Sequence, residues 1–151
     1  MKRSPMPRKR SAPRRTAAQC SVLRCKRRPI ATGMCITHST DVADRLWSRR
    51  VRDRDRTCIA AMYFPEIDCN GALQAMHLVP RGYKATRWIL ENGRAGCAAH
   101  HSWLTYHPLE HTIFNEHVLG ADGWRQMRAA ALAGARQDLV GVIALLSEEA
   151  A

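Results

Sequence analysis

The chain has 151 residues, of which 46% are apolar and 6% aromatic, enough for one compact domain with appendages but not for a large β-sandwich or β-barrel core. No run approaches the ~18 consecutive apolar residues of a membrane-spanning helix, and the basic N-terminus lacks the apolar stretch of a secretory signal. We therefore expect a cytoplasmic protein with no membrane partner.

Positive charge is concentrated at the N-terminal end. The formal net charge is +11; residues 1–28 hold 11 basic side chains and no acidic one, whereas residues 29–151 hold 13 of each sign. Segment 1–18, rich in Pro, Ser and Arg, is predicted to be a disordered arm that orders on phosphate. A basic arm on a balanced body indicates a polyanionic partner, most often nucleic acid.

Segment 19–38 has the composition of a zinc knuckle. It contains four soft ligands within 19 residues, namely Cys20, Cys25, Cys35 and His38. Thiolate and imidazole suit tetrahedral zinc, and Gly33 fits the tight turn that a knuckle needs. A segment this short and polar cannot build its own core, so bound metal is expected to supply its folding energy. The alternative is a set of free thiols with an unrelated histidine.

The other three cysteines form a second set, completed by a histidine: Cys58, Cys69, Cys97 and His100. His101 follows directly and is an alternative ligand to His100. The loop between Cys58 and Cys69 is long for a zinc ribbon, but with this set all six cysteines are used. The sequence thus predicts two structural Zn²⁺ ions, each held by three cysteines and one histidine.

The predicted elements give a small α+β fold. Ser39, Thr40 and Asp41 offer capping side chains for a linking helix over residues 39–56. Residues 57–119 are expected to form the core, with a strand over 73–79, a helix from about Cys97, an end or restart at Pro108, and a helix over 109–119. Beyond a break at Gly120, residues 120–151 are predicted to be helical, over 122–135 and 139–146, and to pack on the domain or mediate self-association.

Three residues of the predicted core are more informative in combination, and in this order, than any one of them is alone. His77 lies in an apolar strand, Asn92 lies in a turn before Gly93, and His101 lies at the start of a helix. Taken singly, these are most simply a packed histidine, a turn asparagine and a surface histidine.

With this order, the chain resembles the HNH endonuclease family, whose core is the ββα-metal fold. Over residues 47–119 it is similar to the phage NinG/Rap recombination nucleases; the similarity rests on residues 51–58, 73–77, 86–88, Asn92 and the run 97–101. The resemblance implies a zinc-stapled core in which His77 is the general base, Asn92 orients its imidazole, and His101 ligates a catalytic Mg²⁺, Mn²⁺ or Zn²⁺ ion. The second zinc would clamp the hairpin to the helix.

One departure from the family pattern concerns that catalytic metal. Many members carry Asp, or another ligand, just before the first histidine, where this chain has Met76, which does not serve a hard cation. Replacement ligands are His107, Glu110 or His111, or else water and substrate phosphate.

The predicted partner is DNA. Four basic residues near these histidines are expected to neutralise phosphates: Arg81, Lys84, Arg87 and Arg94. The function expected is hydrolysis of DNA phosphodiester bonds by a phage-type nuclease in recombination or DNA processing. One alternative is a non-catalytic two-zinc nucleic-acid-binding protein on the same scaffold. A transcriptional regulator built on the first zinc module is less well supported, because no convincing recognition helix is present. The sequence leaves the oligomeric state open.

Overall fold

The computed structural model describes residues 18–148, so residues 1–17, and with them nearly all of the predicted basic arm, lie outside the described residues. The main elements are α1 (Ile36–Asp55), β1 (Leu73–His77), β2 (Gly93–Cys97), α2 (Ala98–Tyr106), α3 (Pro108–Ala133) and α4 (Leu139–Glu148). Single 3₁₀ turns lie at Ile59–Met62 and Leu90–Asn92. The small α+β class predicted from the sequence is confirmed.

The centre of the fold is a two-stranded antiparallel sheet followed at once by a helix. Leu73 pairs with Cys97 and His77 with Gly93, and the chain passes from Cys97 straight into α2. The order strand, strand, helix therefore matches the expectation. His77 stands at the last position of β1, next to the loop that returns to β2.

Helix α1 packs closely on this sheet. A Cβ atom at Gly93 would lie 2.6 Å from ring carbon Cζ2 of Trp47 and 2.6 Å from Cγ2 of Val51. Only a residue without a side chain allows this approach, so Gly93 is fixed by packing rather than by a turn. The indole Nε1 of Trp47 donates to the carbonyl of Ile89 at 2.9 Å and ties α1 to the loop between the strands.

Two hydrophobic clusters flank the sheet. One lies among β1, α2 and α3 and includes Met76, Leu78, Leu104, Phe114 and Trp124. The other joins α1 to α4 and the inter-strand loop, and includes Trp47, Val51, Trp88, Leu139 and Leu146. The C-terminal helix thus serves the packing role expected of it. Within residues 18–148, each helix is too short or too polar to cross a membrane.

Several boundaries differ from those predicted. Helix α1 begins at Ile36, not at residue 39, and its N-cap is Cys35 in an extended conformation. Ser39, expected to be part of the cap, is buried, and its hydroxyl hydrogen-bonds that of Thr32 at 2.7 Å. The prediction chose Ser39, Thr40 and Asp41 because their side chains are good helix caps. The helix instead begins directly after Cys35, which belongs to the first set of potential metal ligands.

The strand and C-terminal boundaries also shift. Strand β1 ends at His77 rather than at residue 79, and Pro108 restarts the chain as the first residue of α3. Gly120 (φ 72°, ψ 159°) lies outside helical geometry, as the predicted break requires, and divides α3 into two helical stretches, the second of which ends at Ala133.

Candidate metal centres and a histidine-lined cavity

The first set of ligands is assembled around the start of α1. The ligand atoms of Cys20, Cys25, Cys35 and His38 all lie within 4.8 Å of one another. The Cys25 and Cys35 sulfurs are 3.9 Å apart, and His38 Nδ1 lies 3.3 Å from the Cys20 sulfur and 3.5 Å from the Cys35 sulfur. For a Zn–S bond of 2.3 Å, the edge of a sulfur tetrahedron is roughly 3.8 Å. Both donor chemistry and spacing therefore fit zinc.

The second set is assembled at the start of α2, and again its four ligand atoms lie within 4.8 Å of one another: Cys58, Cys69, Cys97 and His100. His100 Nδ1 lies 3.1 Å from the Cys97 sulfur and 3.8 Å from the Cys69 sulfur. Its Nε2 donates to the carbonyl of Phe64 at 3.1 Å, which leaves the lone pair on Nδ1, facing the sulfurs. His100, and not the neighbouring His101, is thus the histidine of this set.

The two centres share one local construction. In each, the third cysteine caps a helix and the histidine lies three residues later, in the first turn. In each, the amide of that capping cysteine donates to the sulfur of the first cysteine: Cys35 to Cys20 at 3.1 Å and Cys97 to Cys58 at 3.2 Å. A Cys-x-x-His sequence therefore serves both as a helix start and as half of a metal site.

The same geometry governs thiol ionisation. Burial opposes ionisation of Cys97, but hydrogen bonds from the amide and ring of His100 lower its pKa to about 6. Desolvation of its sulfur, together with the sulfurs of Cys58 and Cys97, raises the pKa of Cys69 to about 11. Three thiolates so close together repel one another, and a divalent cation removes that repulsion. None of the six cysteines forms a disulfide.

A cavity of about 610 Å³ opens beside the sheet, at the end of β1. It brings together three histidines from three different elements: His77 of β1, His101 of α2 and His111 of α3. Exposed Arg81 also lines it. Two of the three residues predicted to act together, His77 and His101, therefore share one cavity.

His77 is held firmly on two sides. Its ring stacks on Trp47, with centroids 3.9 Å apart and planes 15° from parallel. Its Nε2 lies 2.9 Å from the carbonyl oxygen of Arg87 and must donate to it, which leaves the lone pair of the neutral ring on Nδ1. Burial lowers the pKa of His77, against the opposing effects of the Arg87 carbonyl and the charge of Asp44. Burial therefore favours the neutral form of this imidazole.

Asn92 does not orient His77, contrary to the role expected of it. It is fully buried, and its Oδ1 accepts from the amide of Val79 at 2.7 Å. Its Nδ2 donates to the carbonyls of Val79 and Thr86, both at 3.0 Å. Asn92 closes the inter-strand loop, and the Arg87 carbonyl within that loop performs the orienting role. Its side-chain hydrogen bonds all go to main-chain groups of this loop, and none goes to His77.

Met76 is a packing residue, whereas His101 lines the cavity and keeps one ring nitrogen with a lone pair. Met76 is buried, with 2% of its surface exposed, and belongs to the hydrophobic cluster. His101 Nδ1 lies 2.7 Å from the Gln74 side-chain oxygen, which leaves Nε2 as the ring nitrogen with a lone pair. His107 instead stacks on Trp103 and hydrogen-bonds its carbonyl. Burial lowers the pKa values of both His101 and His111, which keeps these rings neutral.

The four basic residues expected to contact phosphate divide into two pairs. Arg81 and Lys84 are exposed, as that role requires. Arg87 instead pairs with Asp44 through both carboxylate oxygens, and its side chain is only 11% exposed. Arg94 donates to the carbonyls of Glu91, Gly93 and Val118. Arg87 and Arg94 are therefore structural, because buried guanidinium groups take the nearest acceptors.

Sequence reasoning missed the contribution of α1 to this cavity. Asp44, Trp47 and Ser48 line it, and Asp44 also accepts from the indole of Trp88 at 2.7 Å. Trp47 lies on the buried face of α1, with Ala43 and Val51, but no local sequence pattern indicates that this face covers a histidine.

Comparisons of the chain with protein-family models, with curated proteins and with solved structures gave no match. The class that the fold and the centres define is a small α+β protein with two Cys3His groups, each able to hold a metal ion.

Proposed function

We propose that this protein is a metal-dependent endonuclease of the HNH type that hydrolyses DNA phosphodiester bonds. The observation that carries the proposal is the convergence of His77, from the first strand of a strand–strand–helix unit, and His101, from its helix, on one cavity. A binding module has no need for neutral imidazoles at the end of an open cavity. Hydrolysis does need them, as proton acceptor and as metal ligand.

In this mechanism His77 activates water. Nδ1 takes a proton from water as the water oxygen bonds to phosphorus, and the bond from phosphorus to the leaving sugar oxygen breaks. The leaving oxygen takes its proton from solvent. The Arg87 carbonyl and the Trp47 ring keep the imidazole in one orientation and tautomer throughout, and Arg81 binds a non-bridging phosphate oxygen. A divalent ion on His101 would supply the electrostatic stabilisation of the developing negative charge.

Both Cys3His groups are proposed to hold structural zinc. Such a small protein has a limited hydrophobic core, and the two ions fix the starts of α1 and α2. Six reduced cysteines suit a reducing compartment, so we place the protein in the cytoplasm of a bacterial cell or of a phage-infected host. A role in phage recombination or DNA processing fits this placement.

The test is a nicking assay on supercoiled and branched DNA with Mg²⁺, Mn²⁺ or Zn²⁺. We expect His77→Ala to lose about 100-fold or more of the cleavage rate, the usual contribution of a general base, while DNA binding is retained. His117→Ala removes an exposed imidazole on α3, outside the cavity, and should cleave as the native protein does. A chelator should abolish cleavage. Equal rates for His77→Ala and the native protein would contradict the proposal.

A second candidate function is non-catalytic nucleic-acid binding, and one observation favours it. Among residues 18–148, the only groups that bring three or more potential ligand atoms within 4.8 Å are the two Cys3His centres, so no complete third ligand set is assembled. The same assay separates the two functions, because a pure binding protein shifts DNA without nicking it under any metal.

A further inference from the structure

The position that is usually acidic in the similar nucleases is closed to metal in this chain. Met76 is buried in the hydrophobic cluster, and a Cβ atom at Gly96 on the paired strand would lie 2.5 Å from its sulfur. The thioether is therefore packed against the sheet. A metal on His101 needs a second protein ligand from elsewhere.

Besides His77, the proposed base, two other potential ligands line the cavity: Asp44, whose carboxylate is already engaged by Arg87 and Trp88, and His111. His111, from the first turns of α3, lines the same cavity as His101, and the two rings are close enough to interact electrostatically. The other two residues considered from the sequence do not line this cavity: His107 is stacked on Trp103, and Glu110 is not among the cavity residues. Pro108 begins α3 and so sets the turn that carries His111 to this place.

His101 has the arrangement that ligating histidines adopt. A metal-bound imidazole almost always donates its other N–H to a carbonyl or carboxylate, which fixes the ring and its tautomer. His101 donates from Nδ1 to the side-chain oxygen of Gln74, so its Nε2 keeps the lone pair.

We infer that His111 and His101 together hold the catalytic divalent metal, and that His111 replaces the ligand lost at Met76. This inference rests on the proposed function and names the metal class of that site. Two imidazoles and no carboxylate favour ions of the Co²⁺, Ni²⁺ and Zn²⁺ type over Mg²⁺. Water and substrate phosphate complete the coordination.

The first measurement is metal binding, independent of cleavage. Ni²⁺ is titrated calorimetrically into the full-length, untagged protein after both Cys3His groups have been loaded with zinc. We expect one further site, weakened about tenfold or more by His111→Ala and by His101→Ala. His111→Asn, which keeps a polar side chain at this position, should weaken it likewise. His117→Ala, on the same helix, should bind as the native protein does. Zinc content and thermal unfolding confirm that each variant is folded.

The second measurement is nicking with Ni²⁺, Co²⁺ or Mg²⁺. Loss of the further Ni²⁺ site in the His111 variants, with no nicking by any protein, would support the inference and refute the endonuclease. Nicking by the native protein, with unchanged Ni²⁺ affinity and rate in His111→Ala and His111→Asn, would overturn the inference and leave the endonuclease standing. Absence of any further Ni²⁺ site in the folded native protein would also overturn it.

Discussion

Replacing Asn92 by alanine tests whether this residue acts in structure or in chemistry. The side chain is fully buried and makes three hydrogen bonds to main-chain groups of Val79 and Thr86. A buried polar group that loses its partner costs about 1–3 kcal/mol, and three groups lose theirs at once. Allowing for partial rescue by water, we expect the free energy of unfolding to fall by about 3–5 kcal/mol. That is a large part of the stability of about 5–15 kcal/mol usual for a domain.

The assay is urea unfolding of the zinc-loaded protein, followed by tryptophan fluorescence. Asn70→Ala, at an exposed position, is the matched control and should change the free energy of unfolding by less than about 0.5 kcal/mol. Nicking by Asn92→Ala should be limited by the fraction folded, so that it recovers at low temperature. A stability loss below about 1 kcal/mol, combined with abolished nicking, would refute this reasoning and return Asn92 to a direct role in the reaction.

Three further predictions concern charge, pH and metal. Because Arg81 is exposed, Arg81→Ala should reduce the slope of log DNA affinity against log salt concentration by about 1. Because Arg87 is paired with Asp44, Arg87→Ala should leave that slope unchanged and lower the stability of the fold. Equal slopes for the two variants would contradict this prediction. Because burial lowers the pKa of His77, the nicking rate should fall only below pH 6.5. The free energy of unfolding should decline over the same range, because the unfolded chain takes up the proton first. A fall in the nicking rate that begins above pH 6.5 would count against His77 as the base. Elemental analysis should give two zinc ions per chain, and a strong chelator should lower the helix content measured by circular dichroism. A single zinc ion per chain would contradict one of the two predicted zinc sites.

The metal centres were the most predictable part of this protein. A Cys-x-x-His sequence is local, so the cap and first-turn positions that Cys97 and His100 occupy follow from helix geometry alone. Three thiols and an imidazole have one dominant use when all the cysteines in the chain are accounted for. A strand from Leu73 and a helix start near Cys97 were also predictable from local residues, whereas the second strand, β2, was expected only through the resemblance to the ββα-metal fold.

What could not be predicted depends on partners distant in sequence. Arg87 was expected to contact phosphate because nothing nearby neutralises it, but its partner Asp44 lies 43 residues earlier. Asn92 was assigned to His77 by analogy, whereas its partners lie across the inter-strand loop. The start of α1 was misplaced because local capping preference is worth only about 1 kcal/mol, whereas the observed start at Ile36 follows Cys35, which is held in a cluster with Cys20, Cys25 and His38.

The double role of α1 bears on how such proteins can be rearranged. This helix starts in one candidate metal centre, at Cys35 and His38, and about three turns later supplies the Trp47 ring that stacks on His77. Segment 19–38, which holds the first Cys3His set, therefore cannot be exchanged for another module without regard to the cavity. A graft that replaces the chain through Trp47 removes part of the wall of the histidine-lined cavity, so such exchanges have to keep the whole of α1.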